Sequence, residues 1–300
     1  MPKAVLQGLK KYPIKLSVIC AMLDSGGSAG RLRRDYNIVS PGDIRRAFIA
    51  LANTSPTVEG LFDYRFQAGS LKGHNFANLL ITALELSTSD YEKTIKEISR
   101  ILNVKHRVIP ATLDRANLCA VLENGKKIIG EANIDVPKHD GNLKIKEVFL
   151  EPKAKAYPGA LEAVGEADLI VIGPGDLYSS IAQILLTDGM APAIKKSKAR
   201  KVYICNLMTK RGETNDFTVT GFTKEIEKYL GCGLDYVLYN NFIPKGGVTE
   251  KQKAKHSELL KLVGIDKNLP ASKFIGKNLL KKDLTEHDPK KVSKILMSLV

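Results

Sequence analysis

Two glycine-rich loops contain the residues best suited to bind a phosphate group. The later loop, Gly173-Pro174-Gly175-Asp176, follows the apolar run 170–172 and leads into a helix-like run. Small residues let backbone N–H groups approach a phosphate, and the dipole of a helix N-terminus favours its negative charge. Asp176 either caps this helix or contacts the ligand directly. The loop is predicted to bind a phosphate-bearing, nucleotide-like ligand through Gly173, Gly175, Leu177 and Ser179.

The earlier loop runs from Asp24 to Gly30, and several arginines follow it directly. A glycine-rich loop alone also fits an ordinary flexible connection. The arginines that follow the loop favour the phosphate-binding interpretation, because a guanidinium group can bind phosphate through two hydrogen bonds. The predicted ligand contacts in this segment are Asp24, Gly26, Gly27, Gly30, Arg31 and Arg33.

Three further segments carry more polar residues than an ordinary turn needs. Each has a second explanation, because the same side chains also cap helices or tie loops to the backbone. The sequence leaves both alternatives open for every one of them. The candidates are Asp43 and Arg45 after Pro41-Gly42, then His74, Asn75 and Asn78 at the start of an apolar helix, and finally Asn206, Thr209 and Thr214 after a strand.

These loops need a sheet whose strands end at one edge, and the pattern of the chain predicts one. Strand-like and helix-like runs alternate, which is typical of an α/β fold with a Rossmann-like, doubly wound, mostly parallel sheet. Between 105 and 150, short β-like runs are broken by Asn124-Gly125, a strong hairpin signal, and predict an antiparallel β insertion or sheet extension. We expect one domain over 1–300 with a lysine-rich C-terminal element at 245–300. Predicted strands are 16–22, 168–172, 201–206, 236–239 and 273–275, and predicted helices are 3–11, 44–53, 75–86, 90–102, 159–166, 177–186, 191–197, 220–230 and one that begins at Asp288-Pro289.

Composition limits the classes of function. The four cysteines form no C-x-x-C pair, and no apolar run approaches the roughly 20 residues of a membrane span, so a cytoplasmic protein without membrane insertion is expected. Half of the net charge of +14 lies in 245–300, and aromatic residues make up only 6% of the chain, which argues against nucleic acid as a partner. A solvated lysine-rich surface is the simpler interpretation, and a polyanion-binding module is the alternative.

Five segments occur in an order that is similar to one known family. They are 24–33 (DSGGSAGRLR), 41–45 (PGDIR), 73–79 (GHNFANL), 173–180 (GPGDLYSS) and 206–214 (NLMTKRGET). Together they resemble the YvcK or gluconeogenesis-factor branch of the CofD-like family. The resemblance implies a cytosolic regulatory protein that binds a UDP-sugar or a dinucleotide such as NAD(P) and influences morphogenesis and cell-wall synthesis. It also implies proteins of those processes, or further copies of the chain, as partners.

The sister branch of that family implies an alternative, a phospholactate transferase that acts on a deazaflavin in coenzyme F420 biosynthesis. Its divalent metal, Mg²⁺, would fall at Asp24. Ser25 stands here where the family has a second aspartate, and hard cations prefer clustered oxygens, so metal-dependent transfer is disfavoured. Ala77 and Asp176 also depart from the family pattern. No catalytic residue is assigned.

The start of the chain departs most from the family. The family begins with a strand and a Gly-Gly-Gly-Thr-Gly loop, whereas this sequence begins with Met1-Pro2-Lys3, about where that loop enters its helix. The resemblance therefore implies that this sequence lacks a central strand and a phosphate loop, either because its start is misassigned, because it is a fragment, or because the absence is real. The neighbouring strand, Leu16–Met22, would then expose backbone ladder groups and apolar side chains.

Overall fold

The computed structural model describes residues 3–244, 259–282 and 286–300. The strands are β1 (Ser17–Cys20), β2 (Arg107–Pro110), β3 (Asn117–Leu122), β4 (Lys127–Ile129), β5 (Ile145–Glu151), β6 (Leu169–Ile172), β7 (Arg200–Ile204), β8 (Met208–Lys210), β9 (Tyr236–Asn240), β10 (Leu259–Leu262) and β11 (Phe274–Lys277). The helices are α1 (Lys3–Leu9), α2 (Gly27–Tyr36), α3 (Gly42–Leu51), α4 (Pro56–Asp63), α5 (Phe76–Thr88), α6 (Tyr91–Ile101), α7 (Glu131–Asp135), α8 (Pro158–Gly165), a π-helix (Leu177–Ala182) that continues as α9 (Gln183–Leu185), α10 (Met190–Lys196), α11 (Val219–Leu230) and α12 (Pro289–Met297).

Parallel strands form the centre of the fold. The larger sheet has the order β11-β9-β7-β6, and β1 pairs in parallel with β2 in a separate two-stranded sheet. Helices alternate with these strands along the chain, which confirms the predicted α/β class with a mostly parallel sheet. The short strand predicted at 273–275 corresponds to β11 and lies at the edge of the larger sheet.

The stretch 105–150 divides between two sheets. The order β4-β3-β5 is antiparallel, and the turn at Asn124-Gly125, where Gly125 has a φ of +83°, joins β3 to β4 as the hairpin signal predicts. In contrast, β2 pairs in parallel with β1, so the antiparallel sheet begins only at Asn117. A small antiparallel pair, β8 with β10, has no counterpart among the predicted strands.

Helix boundaries follow local capping chemistry. Asp90 accepts hydrogen bonds from the first-turn amides of α6, and Asp288 does the same for α12. Three helices have no counterpart among the predicted ones: α2, which begins inside the predicted glycine loop, α4, which Ser55 caps, and α7, which lies in the stretch predicted as β structure. Helix propensity disfavours α2 because it contains Gly27 and Gly30, so tertiary packing must stabilise it. Of the predicted lysine-rich element, residues 245–258 and 283–285 lie outside the described residues.

Three clusters of buried apolar side chains pack the helices against the strands. One packs β1 and β2 against α3, α5 and α6, and a second joins the antiparallel sheet to α8, α10 and α11. The third packs α1 and α12 against β7 and β9. In the described ranges, no helix is long and apolar enough to cross a membrane.

Candidate functional site

A groove of about 1360 Å³ lies between β1 and β6 and opens at the carboxyl ends of both strands. Ligands of doubly wound sheets bind beyond those ends. Both predicted glycine-rich loops line this opening, which we call the mouth. The predicted site residues that line the groove are Asp24, Gly26, Gly27, Asp43, Arg45, Asn78, Gly173, Gly175 and Asp176.

The first loop turns directly into α2 at the mouth. Gly27 has a φ of +46°, a left-handed conformation that favours glycine. Gly26 occupies the N-cap position and has no side chain that could cap the helix. The first amide that forms a hydrogen bond within the helix is that of Gly30, which donates to the Gly26 carbonyl at 2.7 Å. Within the described residues, the amides of Gly27, Ser28 and Ala29 are therefore free to bind an anion.

The second loop presents a similar set of amides. Gly173 has a φ of +75°, and the Asn206 Nδ2 atom donates to the Gly175 carbonyl at 2.9 Å, which fixes the loop. The amides of Gly175, Asp176 and Leu177 have no hydrogen-bond partner in the described part of the chain. Gly175 and Asp176 line the same groove as Gly27, Ser28 and Ala29 of α2, whereas Leu177 is buried in the core.

An internal carboxyl group, that of Glu213, lies against the next turn of the π-helix; burial raises its pKa, and the neighbouring Lys210 opposes that shift. The buried Glu213 carboxylate accepts hydrogen bonds from the Tyr178 amide at 3.0 Å, the Ser179 amide at 3.3 Å and the Ser179 hydroxyl at 2.8 Å. Ser179 is therefore engaged with Glu213, which favours a structural role over ligand contact. Asp176 lies at the N-cap position but makes no side-chain cap, so the capping alternative is wrong.

Lys210 forms ion pairs with three carboxylates behind the second loop. Its Nζ atom lies 3.2 Å from Asp176 and 3.1 Å from Glu213, and it also contacts Asp135 of α7. Burial alone would lower the pKa of Lys210, but Glu213, Asp176 and Asp135 outweigh burial and hold the pKa above its usual value. A charged Lys210 thus ties the loop, α7 and β8 together.

A pair of carboxyl groups, Asp24 and Glu131, lies at the other side of the mouth. Asp24 Oδ1 accepts the Gly26 amide at 2.8 Å, and Glu131 Oε2 accepts the Ser25 amide at 3.2 Å. Burial, Asp24 and Asp135 raise the pKa of Glu131 to about 8. Burial also raises the pKa of Asp24. The pair therefore holds a proton near neutral pH, which reduces the negative charge at the mouth.

Two buried polar atoms at the mouth have no partner in the described chain. They are Asn78 Oδ1 and Arg45 Nε, although Arg45 also contacts Asp63 at 3.2 Å. Asp43 neither caps α3, whose N-cap is Pro41, nor stands free, because the Arg46 Nε atom donates to it at 2.9 Å. Buried polar groups without partners are uncommon in native proteins, and a bound ligand is one explanation.

Several predicted residues of the first loop serve the fold instead. Arg33 donates to the Leu23 carbonyl at 3.1 Å and to the Ala116 carbonyl, and Arg31 donates to the Lys72 carbonyl at 3.2 Å. A Cβ atom on Gly30 would lie 2.0 Å from the Ser25 carbonyl oxygen, so Gly30 permits close packing. These contacts favour a structural role for the three residues, and none of them lines the groove.

Five predicted polar residues outside the glycine loops are also satisfied by the protein. Each is tied to backbone or to another side chain, which favours the structural alternative over ligand contact. His74 Nδ1 lies 3.2 Å from the Ser28 hydroxyl, Asn75 caps α5 and donates to the Tyr64 carbonyl at 3.0 Å, Asn206 holds Gly175, Thr209 donates to the Lys261 carbonyl at 3.3 Å and Thr214 accepts the Lys210 amide at 3.0 Å.

Sequence reasoning missed several residues of this region. Glu131 and Asp135 lie in α7, inside a stretch that was interpreted as β structure. Lys210 and Glu213 lie in the segment 206–214, but the sequence pattern predicts no role for either of them. Their other partners, Asp135, Asp176 and Ser179, lie far away along the chain, so no local spacing signal identifies the cluster. Arg46 and Arg65 also line the groove without having been selected.

The donor set does not fit the magnesium ion that Asp24 could imply. Among the described residues, no three His, Cys, Asp or Glu side chains are grouped so that they could hold a metal. Asp43 is paired with Arg46, and Asp135 and Asp176 are paired with Lys210. Hard cations need several clustered oxygens, so these paired carboxylates do not suit a magnesium ion.

The fold and the mouth define an α/β protein with a Rossmann-like parallel sheet and a candidate ligand site beyond its strand ends. The chain belongs to the family of 2-phospho-L-lactate transferase CofD, whose model matches residues 3–282. It is 36% identical over 306 residues to the gluconeogenesis factor of Bacillus subtilis, covering 99% of this chain and 94% of the relative. It is 44% identical over 246 residues to the gluconeogenesis factor of Listeria innocua, covering 80% of this chain and 75% of the relative.

A solved structure has the same fold. The crystal structure of a Bacillus halodurans protein matches with a TM-score of 0.90 and 38% identity, covering 99% of this chain and 96% of that one. These similarities confirm the predicted family and its gluconeogenesis-factor relatives.

Proposed function

We propose that the chain is a regulatory protein that binds a nucleotide-type ligand, a UDP-sugar or a dinucleotide such as NAD(P), at the mouth of the groove. The supporting observation is that two strand-to-helix turns with free amides line one opening, the first with Gly27–Ala29 and the second with Gly175 and Asp176. Two amide clusters suit a diphosphate, which carries two anionic groups. Through its bound state the protein would act in gluconeogenic growth, cell morphogenesis and cell-wall synthesis, in the cytoplasm.

The charges at the mouth support an anionic ligand. Asp43 is paired with Arg46, Asp176 shares the charge of Lys210 with Asp135 and Glu213, and the Asp24–Glu131 pair holds a proton. The Arg45 guanidinium keeps an unpartnered Nε at the same opening. A phosphate would therefore meet amides and arginine rather than a field of free carboxylates. Asn78 Oδ1 would accept from a hydroxyl or imino group of the sugar or base.

A thermal-shift experiment tests this function. UDP-glucose at 100 times its Kd should stabilise the protein by about 2.7 kcal/mol, and NAD⁺ is compared in parallel, each with and without magnesium. Gly175→Leu should remove the ligand-induced shift because its side chain would enter the mouth. Gly60→Leu, on the open face of α4 with nothing within 4 Å of its Cβ position, is the control. A shift retained in Gly175→Leu would refute the loop assignment.

Phospholactate transfer to a deazaflavin is the second candidate function. It is favoured by the transferase for which the matching family is described. Purified protein is incubated with the deazaflavin alcohol and a guanylylated phospholactate donor, with and without magnesium, and product is measured. Metal-dependent product would replace the regulatory proposal, whereas ligand stabilisation without product would support it.

A further inference from the structure

A loop projects from the surface between α4 and α5. In residues 64–75 the Phe66 amide donates to the His74 carbonyl at 2.9 Å, and the Gly73 amide donates to the Phe66 carbonyl at 2.8 Å. Gly69 at the turn has a φ of +71°, and nothing lies within 4 Å of its Cβ position. Backbone hydrogen bonds therefore hold this segment, which we call the projecting loop, away from the body of the protein.

Large apolar side chains of this region stand in solvent. Tyr64 is 49% exposed and Leu71 is 41% exposed on the two arms of the projecting loop, and Leu61 in the last turn of α4 is 45% exposed. The Tyr64 ring meets the Phe66 ring edge-to-face with 5.2 Å between centroids, which fixes its position. Exposed apolar groups that occur together in this way mark an interaction surface.

Cationic side chains border the same region. The Arg31 guanidinium of α2 donates to the Lys72 carbonyl at 3.2 Å, so α2 lies against the projecting loop. Arg34 follows about one turn further along α2. Apart from Arg33, which faces the interior, the charged side chains of α2 and the loop are Arg31, Arg34, Arg65 and Lys72 against Asp35. Asp63 at the end of α4 is paired with Arg45 at 3.2 Å, so the region carries an excess of positive charge.

Exposed apolar side chains on a projecting loop, bordered by cations, match the chemistry of an anionic membrane surface. Tyrosine and leucine side chains enter the headgroup region, and arginine and lysine pair with lipid phosphates. A stable protein complex needs about 800 Å² of complementary surface on each partner, which favours a broad face over a single projecting loop. The net charge of +14 adds long-range attraction to an anionic surface.

We propose that the projecting loop docks the protein on an anionic membrane surface. Tyr64 and Leu71 enter the headgroup region, and Arg34 and Lys72 pair with lipid phosphates. The contact is peripheral, because anchors on one loop reach only the headgroups. Arg65 of the same loop lines the groove, so docking brings the mouth close to the bilayer surface. This inference does not depend on the nucleotide function.

Sedimentation with vesicles tests the electrostatic part of the contact. The parent chain should bind vesicles of equal parts phosphatidylglycerol and phosphatidylcholine at least about tenfold more tightly than vesicles of phosphatidylcholine alone. Arg34→Ala with Lys72→Ala should weaken this binding about 25-fold, which is about fivefold for each cation. The matched control, Lys195→Ala with Lys196→Ala, removes the same charge from the last turn of α10, which leads to the start of β7 at the end of the sheet opposite the mouth. The control should weaken binding less than about threefold.

A tryptophan reporter tests whether the loop enters the headgroup region. The chain contains no tryptophan, so Tyr64→Trp introduces a single fluorophore at the proposed anchor. Its emission should move to shorter wavelength when anionic vesicles are added, because the indole leaves water. Tyr12→Trp, between α1 and the start of β1 at the opposite end of the sheet, is the control and should not shift. Leu71→Ser should weaken binding about fivefold, because an apolar anchor is lost.

Equal vesicle binding by the two double variants would overturn the proposal, and so would a Tyr64→Trp emission that stays unchanged while the protein sediments with vesicles. If vesicles do not bind and light scattering shows a dimer that Leu71→Ser dissociates, the loop is a protein contact and the proposal fails. Tm is measured for every variant, and Arg34→Gln with Lys72→Gln replaces the alanine pair if its Tm falls. Nucleotide stabilisation is measured without vesicles, so a failed membrane contact and a failed ligand site give different results.

Discussion

The Ser179 hydroxyl donates a hydrogen bond at 2.8 Å to Glu213, a carboxylate with no solvent exposure. The same carboxylate accepts two amides of the π-helix, so an internal anion takes the place that a ligand phosphate could occupy. A phosphate at this loop is therefore limited to the amides of Gly175–Leu177. Glu213 thus sets the boundary between the folded core and the candidate site.

Replacing Glu213 with Gln should destabilise the protein by about 3 kcal/mol, the usual loss when one partner of a buried ion pair is removed. Lys210 would keep Asp135 and Asp176 but lose its fully buried partner. Urea denaturation measures the free energy of unfolding. Glu97→Gln is the control, since the Glu97–Arg100 pair at 2.9 Å is exposed and should contribute no more than about 0.5 kcal/mol. Equal losses in both variants would contradict this role of Glu213.

The sequence predicts those features of the fold that neighbouring residues determine. Asn124-Gly125 makes its hairpin, Asp288 caps its helix, and the two glycine loops follow parallel strands because strand, turn and helix signals are short-range. The roles of single side chains depend on distant partners. The sequence predicts Arg33 as a phosphate ligand, but its guanidinium donates to the carbonyl groups of Leu23 and Ala116. No residue spacing in the sequence predicts those contacts.

Glu131 should make stability depend on pH. Its pKa is raised from 4.5 to about 8 in the folded protein, so the protonated form favours the fold. The stability it contributes is complete below pH 4.5 and is lost as pH rises to about 8, by at most about 1.4 kcal/mol per pH unit. Glu131→Gln keeps an acceptor for the Ser25 amide and does not titrate. Its stability relative to the parent chain should therefore rise between pH 5 and 8.

Urea denaturation at pH 5, 6, 7 and 8 measures that difference. Glu166→Gln, on the exposed pair with Arg107, is the control and should show a difference that varies little with pH. A difference between Glu131→Gln and the parent that stays constant over this range would show that Glu131 is ionised throughout.

Two glycines in helices should respond to alanine with opposite signs. At Gly30 of α2 the new Cβ would lie 2.0 Å from the Ser25 carbonyl oxygen, so the loop must shift, and a loss of about 3 kcal/mol is expected. At Gly60 of α4 nothing lies within 4 Å, and alanine should stabilise the helix by about 1 kcal/mol. Thermal or urea denaturation compares the two. A neutral Gly30→Ala would contradict the packing role assigned to Gly30.

A substitution of Asn78 should weaken ligand binding without lowering the stability of the fold. Its side chain is 3% exposed, and its Oδ1 atom has no partner in the described chain. Asn78→Leu removes an unpaired buried polar group with little change in shape, so the free energy of unfolding should stay equal or rise. UDP-glucose affinity should fall about tenfold, equal to about 1.4 kcal/mol, because the ligand loses a hydrogen-bond partner. Asn75→Ala, which removes the cap of α5, should instead lower stability by about 1 kcal/mol. Calorimetric titration and urea denaturation of both variants decide the matter: if Asn78→Leu binds UDP-glucose as tightly as the parent chain, Asn78 does not contact the ligand.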